Sequence, residues 1–349
     1  MSTLFPFDKD PFSLEQMEQE ADQARLLTLE RFGKSKGVYI PLYISNFCEN
    51  SCTYCGFNKN NTHLRKTLLP KEIEQELLYI YKRGYRHVLL VAGEVNNEKY
   101  HKLLVESVAL ATRIGMQAIS VEFGSISDQL MLELLNAGAD CFVLYQETYH
   151  QEQYKKYHTA GRKSDYHYRI HSIERAIKAG FKKVTLGILG GLAPIDYDAK
   201  ALFEHLSFIK QNYWDVQFSL SIPRINSAEG GIAGDFPLSD IDFTRTLIAF
   251  RLCFPEMPIL LSTRERPEMR DGLLRICITH LSVESMTAPG GYSNSNDCAH
   301  EELKQFNISD HRSFAEMAAS LARFGFDLHT KDWQMELNKG VFLGNSNHP

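Results

Sequence analysis

The chain has 349 residues, of which 44% are hydrophobic and 23% charged, and its formal net charge at pH 7 is −5. The composition is that of a globular protein, and the negative charge argues against a broad phosphate-binding surface, so we expect no nucleic-acid partner. No apolar run approaches the ~20 residues that span a bilayer, so we also expect no membrane association. The first residues lack the basic and apolar regions of a secretory signal, and seven cysteines not spaced as a disulfide framework favour a cytoplasmic location.

The first predicted element is a helix over residues 12–33, because Ser13 and Gln16 have capping-box spacing and Gly33 is a typical C-terminal stop. Short apolar strands then alternate with amphipathic helices. The predicted strands are 38–45, 87–93, 117–123, 141–147, 184–190, 216–222, 258–263 and 279–285. The predicted helices include 71–83, 125–137, 173–179, 199–211, 243–253 and 313–324.

Eight strands with helical crossovers predict an α/β fold, a (β/α)8 TIM-type barrel, with a doubly wound open sheet as the alternative. We expect an N-terminal helical extension over 1–36, the barrel over 37–292, and a C-terminal helical tail over 293–349 that packs on the barrel. Loops at the C-terminal ends of barrel strands build the active site. Most predicted strands end in polar residues, glycine or proline, so we expect these residues to converge at one open end of the barrel.

The segment "SNFCENSCTYCGF" follows the first strand and places Cys48, Cys52 and Cys55 in a Cys-x3-Cys-x2-Cys spacing. Thiolates select zinc, copper(I) or iron–sulfur clusters. A zinc site needs a fourth ligand, and the nearby candidate, His63, has no familiar finger spacing. Three cysteines can hold three corners of a [4Fe-4S] cluster and leave the fourth iron open, which is typical of a catalytic centre. A zinc-binding interaction protein is the non-enzyme alternative.

This motif, with Tyr54 before the last cysteine, resembles the signature of the radical S-adenosylmethionine (SAM) superfamily. The segments "IPLYISNFCENSCTYCGF", "LLVAGE", "LYQETYH", "AFRL", "LSTRE", "PGGY" and "KDW" follow one another from about residue 30 to residue 333. Together they resemble the tyrosine lyase family of thiamine thiazole biosynthesis, the 2-iminoacetate synthases.

The resemblance implies a [4Fe-4S] cluster whose open iron binds SAM, and reductive cleavage of SAM to methionine and a 5′-deoxyadenosyl radical. It also implies cleavage of the Cα–Cβ bond of L-tyrosine, which gives p-cresol and 2-iminoacetate (dehydroglycine). The implied partners are a thiazole synthase that uses the 2-iminoacetate and a flavodoxin- or ferredoxin-type reductant. A tryptophan lyase or an aromatic-adduct synthase of the same superfamily is the enzyme alternative.

Two relatives within the superfamily carry a second cluster. The hydrogenase-maturation tyrosine lyase has it on a cysteine-rich C-terminal extension, which we do not expect here because Cys298 is the one late cysteine. Biotin synthase has it inside the barrel. We expect the spare cysteines Cys141, Cys253 and Cys277 to be core residues, because their neighbours are apolar.

The resemblance also implies roles for individual residues around SAM. Cys48, Cys52 and Cys55 would be the cluster ligands. Ala92-Gly93-Glu94 stands where the superfamily has a Gly-Gly-Glu-like turn that receives the SAM ammonium, with alanine replacing the first glycine. Arg169 aligns with an arginine that pairs with the SAM carboxylate, and Arg175 competes for that role. The other implied cofactor-binding residues are Tyr54 and Ile188 at adenine, Gln146, Glu147 and Thr148 at the ribose, and Glu122 in the same mouth.

For tyrosine, we predict that Arg264 in "LSTRE" clamps the substrate carboxylate, because a guanidinium fork matches a carboxylate and orientation decides which atom reacts. A structural ion pair between Arg264 and either Glu265 or Asp271 is the alternative. The residues expected around Arg264 are Thr263, Ser282 and Ser285, with Arg224 assisting.

Overall fold

The computed structural model describes residues 13–293 and 303–331 of the chain, and its centre is a closed barrel of eight parallel strands. The strands follow one another around the ring, and β1 closes it by pairing with both β2 and β8. The predicted barrel is therefore confirmed, and the open sheet is wrong. The strands are β1 (Ser35–Ser45), β2 (His87–Ala92), β3 (Ala118–Glu122), β4 (Cys141–Glu147), β5 (Lys183–Ile188), β6 (Gln217–Ser221), β7 (Ile259–Leu261) and β8 (His280–Ser282).

Helices connect the strands, and their ends follow local sequence signals. The side chains of Asn97, Ser127 and Ser239 cap the first turns of three of them, and Gly115 and Gly138 end two helices in the left-handed conformation. None of the described helices is long and apolar enough to cross a membrane. The helices are α1 (Leu14–Phe32), α2 (Pro70–Lys82), α3 (Glu98–Ile114), α4 (Asp128–Ala137), α5 (Gln151–Tyr157), α6 (Tyr166–Ile170), α7 (Ser172–Ala179), α8 (Ile195–Asn212), α9 (Asp240–Cys253), α10 (Pro267–Ile276) and α11 (Phe314–Ala322).

A ninth strand, β9 (Asp327–His329), pairs in parallel with Ser35–Gly37 at the start of β1. The sequence did not predict it, because three residues carry no readable alternation. β1 itself begins at Ser35, ahead of the predicted start of the barrel at residue 37. The C-terminal part of the chain is thus tied to the N-terminal end of the barrel by backbone pairing.

A buried ion pair ties another part of the C-terminal segment to the opposite end of the barrel. Arg270 on α10 and Asp310 have fully buried side chains, and Nη1 of Arg270 lies 2.5 Å from Oδ2 of Asp310. Arg270 also donates to the carbonyl of Ser282 at the end of β8. The carbonyl of Thr263, just after β7, accepts from the backbone N–H of Asp310 at 3.2 Å. These bonds bring the residues just before Asp310 to the mouth of the barrel.

We expect Asp310→Asn to lower the free energy of unfolding by about 3–5 kcal/mol, because it leaves the Arg270 guanidinium buried without a counter-charge. Equilibrium denaturant unfolding measures this difference. Asp128→Asn is the matched control: its carboxylate is 70% exposed and pairs with Arg175, so a loss below about 1 kcal/mol is expected. Equal losses in the two variants would contradict the assignment.

Candidate active site

One cavity opens at the C-terminal ends of the barrel strands, and most of the predicted site residues lie on its wall. They come from the C-terminal ends of six different strands and from the segments that follow them, which is the arrangement expected of a barrel active site. The predicted site residues on the wall are Cys48, Cys52, Tyr54, Cys55, Gly93, Glu94, Glu122, Glu147, Arg169, Thr263, Arg264, Ser282 and Ser285.

The cysteine loop folds around one arginine. Nη1 of Arg65 donates to the carbonyls of Asn46 and Phe57 at 2.7 and 3.1 Å, and Nη2 donates to the carbonyl of Asn58 at 2.5 Å. Within the loop, the backbone N–H of Cys55 donates to the carbonyl of Cys52. Because the loop has no helix or strand, these carbonyl contacts define its path.

The turn after β2 packs directly against the first cysteine. A Cβ atom on Gly93 would lie 2.1 Å from the carbonyl oxygen of Phe47 and 2.9 Å from Cβ of Cys48, so only glycine fits. The carbonyl of Glu94 accepts from the backbone N–H of Glu49 at 2.8 Å, and its Oε2 accepts from Nδ2 of Asn50 at 3.0 Å. The predicted turn and the cysteine loop therefore form one unit.

The three thiols fit a cluster better than a single ion. All three are free of disulfides, and burial raises the pKa of each, to about 11 for Cys55, so a thiolate there needs a bound cation. Among residues 13–293 and 303–331, no three His, Cys, Asp or Glu side chains are placed to hold one metal ion. A zinc site would need at least three such side chains around one ion, whereas each cysteine of a cubane cluster binds a different iron.

Beside the cysteines, an acidic oxygen has no partner. Oε1 of Glu94 is buried and accepts no hydrogen bond from the described residues, while Oε2 of the same carboxylate accepts from Asn50. A buried carboxylate oxygen in this state is costly unless a ligand donates to it. It suits an ammonium group bound between the cysteine loop and the turn after β2.

Tyr54 is held by a histidine that sequence reasoning did not single out. Nδ1 of His158 lies 2.7 Å from the carbonyl of Tyr154, which can only accept, so Nδ1 carries the proton. Nε2, at 2.8 Å, therefore accepts from the hydroxyl of Tyr54. Burial, with Lys163 and Arg169 nearby, lowers the pKa of His158 well below its ordinary range, so the ring is neutral.

A buried group of charges surrounds Glu147 at the end of β4. Its Oε1 accepts from Nζ of Lys163 at 2.6 Å and from Nη2 of Arg169 at 3.2 Å. Arg169 is 3% exposed, and its Nε donates to the carbonyl of Tyr145 at 2.8 Å. Glu147 has φ +71°, a left-handed conformation that costs a non-glycine residue about 1–2 kcal/mol. Sequence reasoning missed Lys163, because it lies in the connection between α5 and α6.

Four predicted cofactor residues do not reach the cavity wall. Nη1 of Arg175 pairs with Asp128 at 2.8 Å and contacts the carbonyl of Ile126, so of the two competing arginines the structure brings Arg169 to the cavity. The other three are buried: Gln146, Thr148 and Ile188. Ile188 points into the hydrophobic core, and its neighbour Leu189 lines the cavity instead.

Arg264 lies on the wall, and the residues that the structure describes offer it no acidic partner. The carboxylates of the proposed ion-pair alternative are used elsewhere, because Glu265 pairs with Arg224 and Asp271 pairs with Arg312. In the part of the chain that the structure describes, no carboxylate pairs with Arg264, whose guanidinium carbon lies 3.3 Å from the ring centroid of Phe306. Burial lowers its pKa, as expected for a guanidinium without a counter-ion. Arg224, predicted to assist, does not line the cavity.

Hydroxyl groups and aromatic rings complete the wall near Arg264. Ser285 Oγ is buried and has no hydrogen-bond partner among the described residues, and Ser282 and Thr263 are also buried. Gln305 Oε1 accepts from the hydroxyl of Tyr43 at 2.7 Å. Sequence reasoning missed five wall residues that carry aromatic rings: Tyr39, Tyr43, Phe57, Tyr145 and Phe306.

The spare cysteines lie away from the cavity wall. Cys277 is fully buried in the hydrophobic core, and Cys253 is half-buried and packs against it. The thiol of Cys141 lies 3.6 Å from Oγ1 of Thr185 inside the barrel. Cys298 falls outside the described residues.

Comparison with known proteins agrees with this geometry. Residues 42–205 match the model of the radical SAM superfamily, and residues 221–327 match the Biotin and Thiamin Synthesis associated domain. The chain is 37% identical over 328 residues to 2-iminoacetate synthase of Escherichia coli K12, covering 93% of this chain and 85% of that protein. It is 35% identical over 334 residues to the enzyme of the same name from Salmonella typhimurium, covering 94% and 86%.

Among solved structures, the chain is similar to HydG, a maturase of the [FeFe]-hydrogenase. The TM-score is 0.87 at 27% identity, and the match covers 94% of this chain and 72% of that one. A barrel of this kind, with the cysteine loop after its first strand, defines a radical SAM enzyme. Within that class, the chain belongs to the 2-iminoacetate synthase family of carbon–carbon lyases.

We expect Gly93→Ala to abolish cluster binding, because the added methyl group would displace the backbone of Phe47 and with it Cys48. Iron and sulfide analysis after anaerobic reconstitution measures this. The matched control is Gly272→Ala in α10, where an added Cβ meets no atom within 4 Å, so full cluster content is expected. Normal cluster content in Gly93→Ala would show that the close contact is not required.

Proposed function

We propose that this protein cleaves the Cα–Cβ bond of L-tyrosine to 2-iminoacetate and p-cresol while SAM is reductively cleaved to 5′-deoxyadenosine and methionine. The observation that carries the proposal is Arg264: a partly buried guanidinium without a carboxylate partner among the described residues, on the same cavity wall as the three cysteines. Family membership supports it, since the two relatives at 35–37% identity are named 2-iminoacetate synthase.

In this proposal Cys48, Cys52 and Cys55 hold three irons of a [4Fe-4S] cluster, and the fourth iron takes SAM. When bound, the cluster and SAM supply a 5′-deoxyadenosyl radical. Glu94 accepts from the SAM ammonium through its unpartnered oxygen, and Arg169 faces the SAM carboxylate. The loop containing Tyr54 lies against adenine.

Glu147 is proposed to contact the SAM ribose, because its carboxylate lies on the wall. Lys163 and Arg169 both donate to its Oε1, so the carboxylate is held in place before a ligand arrives. Leu189, which lines the cavity, is proposed to lie beside adenine in the role that the resemblance implied for Ile188. Gln146, Thr148 and Arg175 do not line the cavity, so we assign them no direct contact with SAM.

Arg264 is proposed to hold the tyrosine carboxylate through two N–H donors. Ser282, Ser285 and Thr263 line the same part of the wall, and the unpartnered hydroxyl of Ser285 can donate to the substrate. Holding the carboxylate fixes which hydrogen atom of tyrosine faces the radical, since orientation decides the reacting atom.

The C-terminal segment is proposed to shield the reaction from water. The carbonyl of Gln305 accepts from the backbone N–H of Gly56 at 3.0 Å, which joins this segment to the cysteine loop, and Phe306 covers Arg264. A dry cavity protects both a carbon radical and an imine product.

The remaining partners follow from the proposed chemistry. Reductive cleavage of SAM consumes one electron. Because 5′-deoxyadenosine keeps a hydrogen atom from tyrosine, formation of p-cresol takes up a second electron and a proton, so we infer a flavodoxin- or ferredoxin-type donor that supplies both electrons. 2-Iminoacetate hydrolyses readily, so we infer a complex with a thiazole synthase that receives it. The free thiols and an oxygen-sensitive cluster suit the reducing cytoplasm.

Anaerobic reconstitution followed by incubation with SAM, a reductant and L-tyrosine tests the proposal. We expect p-cresol and 5′-deoxyadenosine in chromatographic analysis of the wild-type protein and neither product from Cys52→Ala. Cys253→Ala, whose thiol lies away from the cavity wall, is the control and should form both. Absence of p-cresol with a fully loaded cluster would overturn the tyrosine lyase activity; turnover of tryptophan instead would favour the tryptophan lyase.

Arg264→Lys should raise the KM for tyrosine by about 10- to 100-fold, because a point charge replaces a two-pronged donor to the carboxylate. The dissociation constant of SAM should stay within about twofold of the wild-type value. Steady-state kinetics and SAM binding measure the two effects. Arg266→Lys is the control, since Arg266 is exposed and pairs with Asp240; an equal rise in KM there would contradict the role of Arg264.

A further inference from the structure

Among the described residues, the cavity wall carries three acidic and three basic side chains, and three of these six form ion pairs with one another. Glu147 pairs with both Lys163 and Arg169. Glu94 lies beside the cysteines and is bonded to Asn50 through one oxygen. Two opposite charges are left over, and they are Glu122 and Arg264.

Glu122 and Arg264 stand on facing walls. Glu122 is the last residue of β3 and Arg264 follows β7, and these two strands are four positions apart in a ring of eight. Within the described residues, the carboxylate of Glu122 has neither a hydrogen bond nor an ion pair. Within the described part of the chain, the cavity therefore presents one carboxylate without a partner opposite one guanidinium that contacts a backbone carbonyl and an aromatic ring but no carboxylate.

A zwitterionic α-amino acid carries the complementary pair of charges. Its carboxylate suits Arg264, and its ammonium group, attached to the next carbon, suits a carboxylate across the cavity. Glu122 is partly buried, and a carboxylate withdrawn from water without a partner is unfavourable, so an ammonium ligand would stabilise it. SAM also has an ammonium group, but Glu94 beside the cysteines already offers a free oxygen for it.

We propose that Glu122 binds the α-ammonium group of the amino-acid substrate whose carboxylate is held by Arg264. This inference rests on the proposed function. It assigns Glu122 to substrate binding, whereas the resemblance implied a role in cofactor binding. Contacts with both the ammonium and the carboxylate group orient the Cα atom of the substrate. The cavity therefore selects for an α-amino acid as well as for an aromatic ring.

The electrostatics of the cavity support this role. Burial and the neighbouring charge of Glu147 raise the pKa of Glu122 to about 7. The ionised form, which binds an ammonium group, therefore dominates above pH 7 and is lost as the pH falls through that value. The titratable and charged groups that face Glu122 are Tyr39, Tyr43, Tyr145, Glu147, Lys163, Arg169 and Arg264.

The first test uses reconstituted enzyme with SAM and without reductant, so that binding is measured without turnover. Glu122→Gln should weaken L-tyrosine binding in calorimetry by about 10- to 100-fold, as expected for loss of a charged hydrogen bond. It should not weaken binding of 3-(4-hydroxyphenyl)propanoate, which lacks the amino group. SAM affinity and cluster content should match those of the exposed control Glu98→Gln.

Unchanged tyrosine affinity in Glu122→Gln, or a loss of SAM affinity in its place, would overturn the assignment. The wild-type protein gives a second test that does not depend on the variant folding. Its affinity for L-tyrosine should fall by about tenfold per pH unit below pH 7, and its affinity for 3-(4-hydroxyphenyl)propanoate should not. Equal pH dependence for the two ligands would also overturn it. Formation of p-cresol by the wild-type enzyme separately decides the proposed function.

Discussion

The contact between the cysteine loop and the turn after β2 is the constraint on which the site depends. The loop has no helix or strand of its own, so its position relative to the barrel is set by its contacts with neighbouring residues. The carbonyl of Phe47 lies so close to Gly93 that no other residue fits there. Arg65 donates hydrogen bonds to three backbone carbonyls of the loop. Together these contacts place three thiols over the open end of the barrel.

From this starting point the cavity divides into two regions with different chemistry. The region beside the cysteines offers an acidic oxygen of Glu94, together with the buried Arg169 and the partly buried Lys163 around Glu147. The region across the barrel offers Arg264 with hydroxyl groups and aromatic rings. Two zwitterionic ligands, SAM and an aromatic amino acid, match this division. The buried pair of Arg270 and Asp310 holds the segment that closes the second region.

The sequence predicted the barrel well, because the signals for strands and helix ends are local. Eight strands were identified from short apolar runs, whereas β9 has three residues and forms only against the start of β1. The cysteine motif and the segment containing Gly93 are likewise short continuous sequences that can be recognised without the tertiary structure. Lys163, Gln305 and Phe306 reach the cavity through loops whose positions are set by tertiary contacts, and no local pattern marks them. Ile188 illustrates the same limit: one residue along a strand end decides between core and cavity.

The central claim is that the two regions of this cavity act together to break the Cα–Cβ bond of tyrosine. The most direct measurement follows L-tyrosine labelled with carbon-13 at C2 and in the ring through turnover by the reconstituted enzyme, using mass spectrometry. We expect the C2 label in glyoxylate, the hydrolysis product of 2-iminoacetate, and the ring label in p-cresol, in equal amounts. Both labels in one product molecule would indicate an aromatic adduct and would contradict the account.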